Sequence, residues 1–450
     1  MNDTGPETIQ HSNQLIEGLV LSVRELIPSA SLRARIAHSR DASIYKTFRK
    51  KAVTGFTAGY YSEDGFTLSF ELPGNQFAFI EIRREKIPLT RIEMRVLGRL
   101  PDALAGLLVS PSSRGLELAQ RISGRLAFEH LLLAKFLRGG HASTYWTPAL
   151  VLHELQELTF KRYEGNPCTS GFVFTSKPTL YIPQLSETPY KFIAFPEPIT
   201  VTSNYFRKPA SFRYVDGRNS FYLIDNWQRV HGILAALTPA KFNIIDRCSH
   251  MHINPLVEKM PGRVWAAYVG NNDDVNVHRS GGVHLQWTKN HWHLRDKSIL
   301  QTILEQQACS PQLIVPLMST IFTLSDLRLG AVLLLLDKED RLPDIAGVID
   351  NSELGIALRR SFLDRSFNDL VETHSIIGLL SSDGLTTMNK EGKIIGCGDI
   401  INIESATATS MAGGGRTHAA IAASQYGLAI KISEDGPISI FRNKEELISL

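Results

Sequence analysis

Between residues 65 and 83 apolar and polar side chains alternate through GFTLSFELP and QFAFIEIRR, the two-residue period of strands, with Phe77, Phe79, Ile80 and Ile82 offering a buried side. Before them, Leu15 to Leu26 carry apolar residues at helical spacing. Helical spacing returns from Arg114 to Arg162, on Leu116, Ile122, Leu126, Leu131 to Leu133, Leu152, Leu155 and Leu158, until YEGNPCTSG breaks it. Strand signals then dominate GFVFTSKPTLYIP, SFRYVDGRNSFYLID and RVWAAYVG. Asp216-Gly217, set between alternating apolar residues, predicts a hairpin, and Lys289-Asn290 predicts a turn within VHLQWTKNHWHLRD.

From Asp296 the pattern becomes an alternation of helix and strand. KSILQTILEQQA reads as a helix, LRLGAVLLLLD as a buried strand, and SELGIALRRSFLDRSFNDLVETH as helical. SIIGLLSSDGLTTMN reads as strand and turn, KIIGCGDIINIE as a strand, RTHAAIAASQYG as a helix and LAIKISEDGPISIFRN as a hairpin. The alternation predicts an α/β layer over residues 296–450, with ligands at the loops leaving the strand ends. Upstream, the pattern divides into an N-terminal α+β region, residues 1–145, and a strand-rich region, residues 146–295.

Composition narrows the function classes. A chain of 450 residues suggests two or three domains, and 43% hydrophobic with 21% charged residues is an ordinary globular mixture. The net charge of +3 gives no global argument for nucleic acid or a membrane. AVLLLL is far too short to span a bilayer, and MNDTGPETIQHSNQ lacks the basic start and apolar core of a signal peptide. Cys168, Cys248, Cys309 and Cys397 form no CxxC pair, so a reducing cytoplasm is the expected setting. Arg83, Arg84, Lys86, Arg91, Arg95 and Arg99 cluster, but Glu81, Glu85 and Glu93 interleave with them; a solvated face explains this better than a DNA-binding one. Cys248, His250 and His252 could share a metal only on a strand, where alternate residues align; surface and turn positions are the expectation for these and for His278, His284, His291 and His293.

Three elements of the last third carry candidate chemistry: Asp383-Gly384 after a strand, GGGRTHAAIAAS opening a helix, and Ser433-Glu434-Asp435 closing a strand. Carboxylates can hold a divalent metal beside an attacking hydroxyl, and a glycine-rich turn with Arg416 can hold a triphosphate. Read singly, the first and last are also ordinary turns, and the glycines equally suit a loop before a packed helix; no Walker loop or GxGxxG is present.

Together these residues resemble the diadenylate cyclase (DAC) domain family. Arg328 to Leu336 is similar to its first strand, Asp383-Gly384-Leu385 to its aspartate-glycine-alanine motif, Gly414 to Ala420 to its Gly-Thr-Arg-His-Arg-Ala-Ala stretch, and Ser433-Glu434-Asp435 to its Ser-Glu-Glu element. The region upstream resembles the sensor regions preceding such domains. The resemblance implies an α/β fold with a C-terminal mixed-sheet DAC-like domain and α+β sensor-like regions. It implies a nucleotidyltransferase that condenses two ATP into the second messenger cyclic di-AMP with release of pyrophosphate, using Mg2+ or Mn2+, in a cytoplasmic homo-oligomer with facing active sites. Asp383 and Glu434 would bind metal; Asp383, Arg416 and Glu434 would be catalytic; Gly384, Leu385, Gly414, Gly415, Arg416, Thr417, His418 and Ser433 would bind nucleotide. Three positions depart from the family: Gly415 replaces a threonine, Thr417 a histidine and His418 a second arginine. Retention of Asp383, Arg416 and Glu434 favours a cyclase, whereas these departures favour a nucleotide-binding regulator without turnover.

Overall fold

The computed structural model describes residues 6–38, 57–62, 65–72, 76–108, 126–138, 146–202, 205–237, 244–270, 272–340, 342–403 and 414–450. Leu116, Ile122 and Gly413 lie outside the described residues. The chain is an α/β protein of two units: Met1–Pro239 with Ile253–Asp296, and Ala240–His252 with Lys297–Leu450.

The first unit holds a four-stranded antiparallel sheet, in the order Ser31–His38, Gln76–Arg83, Gly65–Leu72, Thr57–Ser62. Its eight-stranded sheet is antiparallel except where Gly171–Thr175 runs parallel to Ser220–Ile224. One hydrophobic core joins Ile16, Phe128, Leu155 and Leu294.

Several local expectations change in this unit. Asp216-Gly217 does not turn a hairpin, because the Asp216 carboxylate accepts the backbone N–H groups of Arg218, Asn219 and Ser220 and so closes a local turn between the short helix Ala210–Arg213 and a strand. The hairpin lies one element later, between Ser220–Ile224 and Arg229–Ala236. Lys289-Asn290 does turn one, with both residues at positive φ between Val283–Thr288 and His291–Leu294. Arg84 is not on a solvated face: its guanidinium is ion-paired with Glu93, with side chains 2% and 0% exposed. Glu93 also closes a capping box with Thr90 on the helix Arg91–Leu97. His278 and His284 are buried rather than superficial, stacked on neighbouring strands with ring centroids 4.2 Å apart.

In the second unit the labelled elements are α1 (Lys297–Gln306), α2 (Pro311–Asp326), β1 (Ala331–Leu336), β2 (Ile345–Val348), α3 (Glu353–Phe362), α4 (Phe367–Glu372), α5 (Ser375–Ser381), β3 (Leu385–Met388), β4 (Ile394–Ile401), α6 (Gly415–Ala423), β5 (Gly427–Ile432), β6 (Ile438–Arg442) and β7 (Glu445–Ser449). The strands form one mixed sheet in the order β2-β4-β3-β1-β5-β6-β7, in which β1 and β3 are parallel and the remaining pairs antiparallel. Every residue of AVLLLL is buried, as a central strand covered on both faces requires. The small residues Ala420, Ala422 and Ala423 of α6 let it approach the sheet closely, in one cluster with Leu334, Leu336 and Phe441. Cys248 ends the helix Ile244–Cys248 and His250 adopts positive φ, so the strand that a shared metal site needed is absent there; His250 and His252 are buried rather than at the surface.

Candidate functional site

SIIGLLSS folds as helix α5, not as a strand, and Asp383-Gly384 therefore precedes a strand instead of following one. Ile376, Leu379 and Leu380 are the buried side of that helix. Gly384 has φ +98°, and a Cβ there would stand 2.7 Å from the backbone carbon of Gly398, so the turn that presents Asp383 requires glycine on two counts. Register carries the turn to the site: Leu385 pairs with Val332, and Ala331 with Ile432. Asp383, Gly330 and Ser433-Glu434 thus share one end of the sheet. This is the end where the parallel strands β1 and β3 begin, the opposite of the exit loops expected from the alternating pattern. The antiparallel neighbours β4 and β5 remove the reason for that expectation, which holds for open parallel sheets.

Arg416, in the first turn of α6, joins the pieces. Its Nη1 donates to Glu434 Oε1 at 2.7 Å and its Nη2 to Asp383 Oδ1 at 3.0 Å. The hydrogen bond to Glu434, followed by that carboxylate's charge and the same contributions from Asp383, raises the Arg416 pKa further above its ordinary value. Asp383 and Glu434 side chains are 69% and 68% exposed, so the ion pairs orient groups more than they stabilise the fold. Glu434 stands in the turn between β5 and β6, where Ser433 N–H donates to Pro437 O and Gly436 N–H to Ser433 O, both at 2.9 Å. Ser325 Oγ at the end of α2 donates to the Gly436 carbonyl and anchors the turn.

The glycine-rich stretch begins a helix with no side-chain cap, since Gly414 occupies the N-cap. The N–H groups of Thr417 and His418 return to Gly414 O, and a Cβ at Gly414 or Gly415 would meet nothing within 4 Å. Among the described residues nothing crowds Gly414 or Gly415, which leaves room for an anion at this helix start. Thr417 is buried and His418 half-buried. Leu385 is 1% exposed and belongs to the core cluster, which keeps its side chain from a ligand. The motif reading missed Gly330: a Cβ there would lie 2.5 Å from Arg416 Nη1. The glycine ahead of AVLLLL was the signal, but only the packing gives its reason. Gly330→Ala is expected to displace the guanidinium and weaken the binding of any phosphate that Arg416 contacts by about tenfold, the worth of a charge-assisted contact, without a change in the melting curve. Calorimetric titration of ATP into both proteins measures it.

Asp383 and Glu434 supply hard oxygen donors to one accessible spot, which suits Mg2+ or Mn2+ held by one or two carboxylates and completed by phosphate and water. The chemistry open to such an arrangement is charge neutralisation and proton transfer on a phosphorylated ligand at a sheet end. Among the described residues, no helix is long and apolar enough to cross a membrane.

No protein-family model matches the sequence, and no curated protein matches it. Several solved structures resemble parts of it. A hypothetical membrane spanning protein from Bacillus cereus is 16% identical, over 33% of this chain and 69% of that one, with a TM-score of 0.25. A double mutant of DacA from Staphylococcus aureus is 16% identical, over 32% of this chain and 85% of that one, with a TM-score of 0.21.

Proposed function

We propose that the second unit binds ATP at Asp383, Arg416, Glu434 and the start of α6, and condenses two ATP into cyclic di-AMP with release of two pyrophosphates. The observation that carries this reading is the bridging of Asp383 and Glu434 by the Arg416 guanidinium, three motif residues far apart in sequence. In each half-reaction a ribose 3′ oxygen forms a bond to the α-phosphorus of the other nucleotide, and the bond from that phosphorus to the pyrophosphate oxygen breaks. Asp383 takes the hydroxyl proton. Arg416, pre-oriented by its two carboxylates, turns to the phosphates and offsets their charge, and the uncapped backbone of α6 adds donors. Asp383 and Glu434 would hold Mg2+ or Mn2+, which would neutralise phosphate charge when bound. One site places one ATP, so two copies of the chain must face each other, and the upstream unit is suited to control their approach. The setting proposed is the cytoplasm, where ATP is supplied.

The regulator reading keeps one specific support: Thr417, at the family's histidine position, is buried and withholds its side chain from phosphate. Incubation of the protein with ATP and Mg2+ or Mn2+, followed by mass spectrometry, separates the two. Cyclic di-AMP is expected, with a rate per subunit that climbs with protein concentration until the facing oligomer is saturated. ATP binding without product establishes the regulator; a rate per subunit that stays flat while the protein demonstrably dissociates defeats the facing-site mechanism.

A further inference from the structure

Beside the turn at Asp383 the second unit has a half-open cavity of about 470 Å3, within the range that takes a small organic ligand. Val348, Leu358, Phe362 and Leu379 give it an apolar lining. Helix α3 forms one wall through Gly355, Leu358, Arg359 and Phe362, which share one helical face, yet no residue of α3 is buried, the apolar Leu358 and Phe362 of that face included. An amphipathic helix normally buries that stripe. Here it borders open space, and an apolar ligand body would complete its packing.

The charges around the cavity specify the rest of the ligand. Arg359, on the wall, is already ion-paired with buried Asp399. Asp350 and Asp383 also line it, and both are exposed. They belong to one rim, because Ile349, next to Asp350, lies 3.0 Å from the Cβ position of Gly384, next to Asp383. Hydrogen bonds from the Ser352 backbone and hydroxyl hold the Asp350 carboxyl below its ordinary range, so it is ionised at neutral pH. Arg416 is shared between Asp383 and Glu434. Four carboxylates therefore stand around this region against two guanidinium groups, and the excess negative charge is at the mouth, not in the apolar interior.

We propose that this cavity is a binding site for an organic cation: an apolar, ring-sized body inside and an ammonium group on the rim carboxylates Asp350 and Asp383. Such a ligand would place positive charge against Asp383 and so couple occupancy to the residue next door. The site stands on the cavity and its charges, and it shares Asp383 with the proposed nucleotide site, so an organic cation and a metal-bound nucleotide would compete for that carboxylate.

A matched pair of probes tests it in the full chain: 1-naphthylmethylammonium and 1-naphthoate, of similar shape and opposite charge. Calorimetric titration at pH 7.5 is expected to show the cation binding at least about tenfold more tightly than the anion, in a single saturable step. Asp350→Asn should bring the preference down to about threefold or less, because it keeps size and removes one rim charge. Gly378 of α5 also lines the cavity, and a Cβ there would meet nothing within 4 Å, so Gly378→Phe fills the space without a backbone clash. It should abolish binding of both probes, while Gly378→Ala, too small to block the cavity, retains it. Should Gly378→Phe fail to fold, Gly378→Leu serves as the blocking variant. Alkylation of Cys397, a buried thiol on the cavity wall, gives an independent readout: the cation should slow its reaction with N-ethylmaleimide and leave that of Cys168 unchanged. Equal affinity for the two probes, or undiminished binding in a folded blocking variant, would overturn the proposal, as would unprotected Cys397 at saturating cation.

Discussion

Asp383→Asn is expected to lower cyclic di-AMP formation by about a hundredfold or more while leaving the fold intact, the range that loss of a general base gives. The substitution keeps the size of the side chain and one carbonyl oxygen, so the hydrogen bond from Arg416 Nη2 can persist. It removes the negative charge that the proposed mechanism assigns to taking the hydroxyl proton and to holding a divalent cation. The side chain is 69% exposed and packs against nothing that would collapse, and Glu434 continues to hold the guanidinium at 2.7 Å. Product measured by mass spectrometry over a dilution series, together with a circular-dichroism melt, checks both halves. Activity within twofold of the unmutated protein would remove Asp383 from the mechanism; a lost melting transition would make the defect one of folding.

Arg84→Met should have the largest effect on stability, about 3–5 kcal/mol at neutral pH, because it leaves the Glu93 carboxylate buried without its counter-charge. Arg84 is more than a charge partner: its Nε donates to Pro28 O at 3.0 Å and its Nη1 to Pro88 O at 3.4 Å. It ties the chain after the helix Pro6–Leu26 to the segment that enters Arg91–Leu97. Burial already raises the Glu93 pKa, against the lowering by Arg84, and loss of Arg84 raises it further. The sign of the pH dependence follows. As pH rises, the unfolded state ionises at the ordinary carboxylate pKa while the folded state still holds its proton, so stability falls until pH passes the raised folded pKa. The variant's deficit relative to the unmutated protein should therefore be smallest at acid pH and full above that value. Urea unfolding across this range measures it, and a deficit that does not vary with pH would show that the lost packing and hydrogen bonds, not the stranded charge, set the cost.

The motif residues and the way they assemble come from different kinds of information. Period and composition were enough for GFTLSFELP, QFAFIEIRR, AVLLLL, the helix at RTHAAIAAS and the hairpin at LAIKISEDGPISIFRN, because each pattern is local and long enough to choose one period. SIIGLLSS was ambiguous, as short apolar runs are, and burial of Ile376, Leu379 and Leu380 on one face selected the helix. RYVDG misled for a different reason: a side-chain carboxylate competed with the backbone pairing that a hairpin needs.

What the sequence by itself determined is the set of parts: two aspartate- or glutamate-bearing turns, a glycine-opened helix with an arginine in its first turn, and the strands that carry them. The tertiary structure decided that these parts meet, and at which end of the sheet. Residues 331, 385 and 432 become neighbours only through the strand order and its register, Leu385 opposite Val332 and Ile432 opposite Ala331. Those pairings are long-range choices made by burial of a whole sheet face, and no local pattern contains them. The same holds for Gly330, whose missing side chain is the space that Arg416 occupies, and for Arg84, whose charge looks superficial until its carboxylate partner is folded over it.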